Sequence, residues 1–161
     1  MAARSVRRRH VAPLERPAPG FETRNYGPAN LGREMDPFVN LDEFVMTEPV
    51  FRAHPHAGFS AITYMFEDAE GTFLNRWSRG GDQLIGPGAV HWTHAGSGMF
   101  HEEVPIRSGE RCHGLQMFVK LPAELELSSP TAFHMDADEV PEADLDGVRV
   151  RVLAGSWSGV A

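Results

Sequence analysis

The stretch His54-Pro-His-Ala-Gly-Phe-Ser-Ala-Ile-Thr-Tyr-Met-Phe66 joins two histidines, spaced i, i+2, to a run of β-branched and aromatic residues. The run from Phe59 to Phe66 is typical of a β-strand. Side chains two residues apart leave the same face of a strand, so His54 and His56 can direct two ring nitrogens at one point. The stretch therefore predicts a β-sheet that carries a pair of metal ligands.

A second pair, His101 and Glu103, repeats this spacing in the sequence His-Glu-Glu. Three imidazoles and one carboxylate suit Fe(II), Mn(II), Ni(II), Cu(II) or Zn(II) better than Ca(II) or Mg(II), because nitrogen donors prefer the later first-row ions. Glu102 leaves the opposite face of the strand and is not expected to bind. The two pairs together predict one divalent transition metal held by His54, His56, His101 and Glu103.

The length and composition favour one all-β domain. The chain has 161 residues, of which 16 are glycine and 12 are proline, and this implies many turns and short elements. Alternating or apolar runs recur at a rhythm expected of a sandwich or barrel. The predicted strands are residues 35–44, 59–66, 72–77, 83–85, 89–94, 99–104, 115–121 and 147–153. Residues 1–20 are expected to form a disordered lead-in, and residues 122–146 a surface loop.

Charge and cysteine content exclude several function classes. The net charge is -7, with one basic cluster at the N-terminus, so direct nucleic-acid binding is not expected. No apolar run approaches the roughly 18 residues needed to span a bilayer, so no membrane partner is predicted. Cys112 is the single cysteine; it excludes an intramolecular disulfide and favours a cytoplasmic location.

Several motifs together resemble the pirin family of the cupin superfamily over residues 21 to 155. The motifs are Asp36-Pro-Phe-Val-Asn-Leu-Asp-Glu-Phe44, His54-Pro-His-Ala-Gly-Phe59, Pro87-Gly-Ala-Val-His-Trp92, Ala95-Gly-Ser-Gly98, His101-Glu-Glu-Val-Pro105, Leu115-Gln-Met-Phe-Val119 and Arg149-Val-Arg-Val-Leu-Ala-Gly155.

The resemblance implies a single cupin, jelly-roll-like β-barrel with one non-haem metal, usually iron, so Fe(II) is the expected ion. The family's three His and one Glu ligands carry over by position to His54, His56, His101 and Glu103. Full-length pirins have two barrels. This chain is expected to hold the N-terminal cupin domain at 21–161, with the start of a linker, and to lack the second barrel. One prediction is that the chain forms a homodimer through the surface that the second barrel covers in full-length pirins.

The resemblance also implies a function, because several bacterial members are similar to quercetin 2,3-dioxygenases. We expect a non-haem iron dioxygenase of quercetinase type that cleaves a flavonol or similar enolic aromatic with dioxygen, with Glu103 as the catalytic base. Ala57 and Ser60 stand where the family usually has Arg and Glu, which alters the contacts near the metal.

Three alternatives stay open at this point. The first is a metal-dependent binding or regulatory protein, similar to a transcriptional co-regulator, without turnover. The second is a single-barrel remnant that binds metal and catalyses little. The third concerns the ligands: His91 falls where many cupins place a metal-binding histidine, so it is an alternative to His101.

Overall fold

The computed structural model describes residues 9–157 and 159. In this part of the chain a short α-helix, α1 (Pro28–Leu31), and a 3-10 helix (Gly32–Met35) accompany thirteen strands. The strands are β1 Glu15–Ala18, β2 Phe21–Tyr26, β3 Phe38–Met46, β4 His54–His56, β5 Phe59–Met65, β6 Phe73–Trp77, β7 Asp82–Ile85, β8 Val90–His94, β9 Met99–Pro105, β10 Cys112–Lys120, β11 Thr131–Met135, β12 Glu142–Leu145 and β13 Val148–Arg151.

Two antiparallel sheets build the barrel. The larger has seven strands in the order β1-β2-β3-β10-β5-β8-β11, and the smaller has four in the order β4-β9-β6-β7. One apolar cluster joins Phe44 and Met65 of the larger sheet to Phe73 and Ile85 of the smaller. The core therefore lies between the sheets, and the prediction of an all-β barrel is confirmed.

Strand β5 is central to this architecture because both of its faces are covered. Its residues after Phe59 are all buried. Ile62 and Tyr64 pack with Val90 and Val140 outside the barrel, so the alternate residues, including Thr63, point inward. The apolar run that predicted a strand is thus the sequence signature of a strand buried on both sides.

Seven of the eight predicted strands coincide with β5 to β10 and β13, and the eighth, at 35–44, starts later because residues 32–35 form the 3-10 helix. The loop predicted over 122–146 is wrong in part: β11 and β12 lie within it. Strand β11 pairs only with β8, at the edge of the larger sheet. Its first three residues are exposed, so it lacks the apolar alternation that marks a buried strand.

The disordered lead-in predicted over residues 1–20 is also wrong in part. Residues 15–18 form β1, which pairs with β2 through Glu15 opposite Thr23. Backbone hydrogen bonds, rather than buried side chains, hold this edge strand, and they leave no hydrophobic pattern in the sequence. Residues 1–8 of the lead-in lie outside the described residues.

Two further predictions concern surfaces. In the described part of the chain no helix is both long and apolar enough to cross a membrane. An apolar groove lined by Trp92, Phe133, Val152 and Leu153 runs along the outside of the larger sheet. Homodimer formation through this face stays a prediction.

Candidate metal centre

Three histidines meet on the inner face of the smaller sheet. His54 and His56 come from β4, and His101 comes from the neighbouring β9, where it is the register partner of His54. One ring nitrogen from each of the three lies within 4.8 Å of the other two. The i, i+2 spacing and the antiparallel register are sufficient to bring them together, because both place side chains on one face.

The ring nitrogens point at one another. Nε2 of His56 lies 2.8 Å from Nε2 of His101. Nδ1 of His54 lies 2.9 Å from the carbonyl oxygen of Arg52. A carbonyl can only accept, so Nδ1 of His54 carries the proton and Nε2 keeps its lone pair. This lone pair is available to an ion.

Burial favours the neutral form of two of the three histidines. It lowers the pKa of His56 to about 4, helped by the nearby His101 and His54. It also lowers the pKa of His101 to about 4, helped by His54. At neutral pH these imidazoles are therefore neutral, which is the form that binds metals. Three imidazole nitrogens suit a late first-row divalent ion, so this histidine group could hold one.

Glu103 lies beside the histidine group and lines the same cavity. Its side chain is buried, at 7% exposure. The Thr63 hydroxyl lies 2.9 and 2.7 Å from its two oxygens, and Nδ2 of Asn75 donates to Oε1 at 3.1 Å. Among the described residues, only the three histidines fall within the 4.8 Å group. The structure thus places the fourth predicted ligand next to the group, anchored by two neutral donors.

Asn75 was not identified from the sequence. It lies opposite Glu103 in the β6–β9 register, is 1% exposed, and its Nδ2 also lies 3.2 Å from Nδ1 of His101. A signal for it exists: Phe73, Asn75 and Trp77 alternate along β6, so Asn75 interrupts a face that is otherwise aromatic. A polar residue at such a position is expected to serve a buried polar partner.

The histidine group opens on a cavity of about 230 Å³. Its walls are mainly aromatic, with Asp42 and Gln116 as the polar residues opposite the centre. The lining residues are Phe21, Asp42, Phe44, Met46, Phe51, His54, His56, Phe73, His101, Glu103, Gln116 and Phe118. An apolar cavity with a few convergent polar groups is the usual form of a small-molecule site.

His91, the alternative ligand, lies on β8 beside Thr63 of β5, outside the group of three histidines. It is buried at 4% exposure, pairs in register with Thr63 and His134, and does not belong to the histidine group found among the described residues. Neither of its ring nitrogens has a hydrogen-bond partner in the described part of the chain. Burial lowers its pKa to about 4, although the carboxylate of Glu103 acts in the opposite direction.

The fold is a cupin-type barrel with a histidine group that could hold a metal ion, and comparison with known proteins agrees on the fold. A family model described as Pirin matches residues 15–119. The chain therefore belongs to the Pirin family, and the predicted resemblance is confirmed.

Among relatives, a pirin-like protein of Arabidopsis thaliana, At1g50590, is 38% identical over 132 residues, which cover 80% of this chain and 42% of that protein. The chain thus spans less than half the length of this relative. The crystal structure of GK1651 from Geobacillus kaustophilus matches with a TM-score of 0.86 at 31% identity, over 96% of this chain and 61% of that one. A quercetin 2,3-dioxygenase from Acinetobacter baumannii matches with a TM-score of 0.79 at 26% identity, over 92% and 56% of the two chains.

Proposed function

We propose that this chain is a metal-dependent dioxygenase of quercetinase type, which acts on a flavonol or similar enolic aromatic with dioxygen. The observation that carries the proposal is the convergence of three histidine nitrogens within 4.8 Å at the wall of an aromatic cavity. The similarity to a structure titled quercetin 2,3-dioxygenase supports the choice of reaction.

The proposed cofactor is one divalent transition metal, Fe(II), held by His54, His56, His101 and Glu103. Mn, Ni, Cu and Zn share the preference for imidazole nitrogen. When bound, such an ion supplies a Lewis acid with open positions for an anionic substrate oxygen and for dioxygen. The neutral state of His56 and His101 supports metal binding, because neither ring carries the second proton of an imidazolium.

Glu103 is the proposed catalytic base. An enol must lose its hydroxyl proton before its oxygen can bind as an anion, and a carboxylate in reach of that hydroxyl can accept the proton. Thr63 and Asn75 donate hydrogen bonds to the carboxylate, which orients it inside the cavity.

The size of the cavity bears on the substrate. At about 230 Å³, it is smaller than the roughly 300–1,000 Å³ of sites for drug-sized ligands. This volume matches a single enolic ring better than the three rings of a flavonol. Monocyclic enols and catechols should therefore be tested as substrates together with quercetin.

We also propose a cellular location and partners for this reaction. We place the protein in the cytoplasm, because Cys112 is the single cysteine and Fe(II) is kept reduced there. Its partners are the small aromatic substrate and dioxygen, without direct contact to nucleic acid, in keeping with the net charge of -7.

The test is aerobic and anaerobic incubation of iron-loaded protein with quercetin and with the monocyclic panel. Loss of the substrate's absorbance and uptake of dioxygen, both confined to the aerobic samples with iron, are the expected results. The His101→Ala variant serves as the metal-site control.

An iron-loaded protein that consumes neither dioxygen nor any substrate of the panel would contradict the dioxygenase. Iron-dependent capture of a protein partner in that case would favour the regulatory alternative.

A further inference from the structure

We propose that Asp42 determines which substituent the substrate carries at the end remote from the histidine group. Its carboxylate selects an enolic or catecholic ring with a hydrogen-bond donor there, above all an ammonium group, and it disfavours a ring with a carboxylate there. This inference rests on the proposed function and narrows its substrate class.

Asp42 lies across the cavity from the histidine group. It belongs to β3 and lines the same cavity as the three histidines. In the register of the larger sheet, Asp42 pairs with Gln116, and Gln116 pairs with Thr63. Thr63 in turn contacts Glu103 beside the histidine group. Two strand spacings of about 4.8 Å place Asp42 about 10 Å from Thr63 along the sheet, a distance that one aromatic ring with a short side arm spans.

Three neutral side chains hold the Asp42 carboxylate in place. Nδ2 of Asn25 donates to Oδ1 at 2.7 Å, and the Thr23 hydroxyl lies 3.2 Å from the same oxygen. Nδ2 of Asn40 donates to Oδ2. A carboxylate offers about four lone-pair sites, and among the described residues Oδ2 accepts from Asn40 alone. Asp42 is therefore fixed by its neighbours and still has room for a donor from the cavity.

No protein cation balances the charge of Asp42. The described residues that line the cavity include two carboxylates, Asp42 and Glu103, but no Lys or Arg. In the described part of the chain no Lys, Arg or His forms an ion pair with Asp42. The proposed ion offsets the charge of Glu103, whereas Asp42 lies across the cavity from it. A ligand ammonium group would make a charge-assisted hydrogen bond to Asp42, and a ligand carboxylate would be repelled.

The test compares three catechols that share one ring and an ethyl side arm. The arm ends in an amine in dopamine, in a methyl group in para-ethylcatechol and in a carboxylate in dihydrocaffeate. Their dissociation constants are measured on Zn(II)-loaded protein by calorimetry without dioxygen. We expect dihydrocaffeate to bind about 10-fold more weakly than dopamine, the lower end for a hydrogen bond to a charged group, because Asp42 is only half-buried. The ethyl compound should fall between them.

Two variants assign this order to Asp42. Asp42→Asn removes the charge and keeps the shape, so the ratio of the dihydrocaffeate constant to the dopamine constant should fall to near one. The matched control is Glu43→Gln, which removes the same charge on the opposite face of β3, where Glu43 lies 3.6 Å from Nε2 of His113. It should keep the wild-type ratio. An unchanged ratio in Asp42→Asn, or an equal fall in Glu43→Gln, would overturn the assignment.

Turnover of the same catechols by iron-loaded protein separates this inference from the proposed function. Turnover together with equal binding of the three compounds would overturn the role of Asp42 and leave the dioxygenase intact. Binding in the expected order without turnover would support Asp42 and contradict the dioxygenase. If Asp42→Asn does not fold, the wild-type ratio decides, and a value of one or less overturns the inference. Failure of all three catechols to bind would overturn it as well.

Discussion

Nε2 of His56 and Nε2 of His101 lie 2.8 Å apart, although the two residues are 45 positions apart in the chain. Only one of these neutral rings can donate a hydrogen bond to the other, so one of the two Nε2 atoms carries a proton and the other accepts with its lone pair. An ion that binds both nitrogens would displace this proton. The relationship follows from the pairing of β4 with β9, in which His56 faces Met99 and His54 faces His101. The backbone ladder therefore brings together two nitrogens that could bind one ion.

Replacement of Glu103 by Gln is expected to lower turnover even when the variant is loaded with metal to full occupancy. The amide keeps the shape of the side chain but cannot accept the substrate proton, and loss of a general base costs about 10²–10⁴-fold in rate. Steady-state dioxygen uptake at full metal occupancy measures the effect. The control is Glu102→Gln on the opposite face, where Glu102 pairs with Arg76 at 2.6 Å; its turnover should match wild type. Unchanged turnover of Glu103→Gln would contradict the assigned role.

Acid is expected to destabilise the metal-free fold through its buried histidines. His56, His91 and His101 have pKa values lowered from 6.5 to about 4. The unfolded chain therefore takes up protons first as the pH falls below about 6.5, and the free energy of unfolding decreases down to about pH 4. Each histidine contributes at most about 1.4 kcal/mol per pH unit within this window. Urea unfolding between pH 7.5 and 4.5, with a chelator present, measures the slope.

The His91→Gln variant measures how much His91, which lies outside the histidine group, contributes to the pH dependence of the free energy of unfolding. Gln does not titrate in this range, so the slope should become shallower even if the stability at pH 7.5 changes. A slope equal to that of wild type would mean that His91 is not held neutral by burial.

Substitution of Gly114, near the start of β10, is expected to destabilise the fold. A Cβ there would lie 2.7 Å from Cζ of Phe44 and 2.7 Å from the carbonyl oxygen of Tyr64, and the backbone atom cannot move away without disturbing the sheet. Gly114→Ala should lower the free energy of unfolding by about 1–3 kcal/mol. The matched control is Gly86→Ala, whose Cβ meets nothing within 4 Å and which should be neutral or slightly stabilising. Equal stabilities of the two variants would contradict the packing at β10.

Cys112 is expected to be chemically silent in the folded protein. Its side chain has 0% exposure, and burial, with Glu110 nearby, raises the pKa of the thiol to about 11. Little thiolate exists at pH 8, and a reagent cannot reach it. Titration with an aromatic disulfide should give modification only after denaturation; rapid reaction in the native state would show that this end of the core opens.

The parts of the fold that the sequence predicted are those that bury side chains. Strand β5 was recognisable because β-branched and aromatic residues cover both its faces, and the two ligand pairs because their spacing matches the period of a strand. Strands β1 and β11 were missed because both lie at edges and expose much of their surface. Their position depends on backbone pairing with β2 and β8, which any polar residue can make.

The candidate site likewise has one part that the sequence predicted and one part that it did not. The convergence of His54, His56 and His101 follows from periodicity plus one strand pairing. The support of Glu103 by Thr63 and Asn75 depends on which strands face each other across the barrel. No local pattern records this, so only the three-dimensional structure relates Asn75 to the histidines.

The most direct test of the central claim is the metal content of protein purified without added metal, measured by elemental analysis for wild type and His101→Ala. We expect about one transition-metal ion per wild-type chain and almost none in the variant. His94→Ala, whose ring instead contacts the Ser128 hydroxyl at 2.7 Å, should retain the ion. Equal metal content in wild type and His101→Ala would contradict the three-histidine centre.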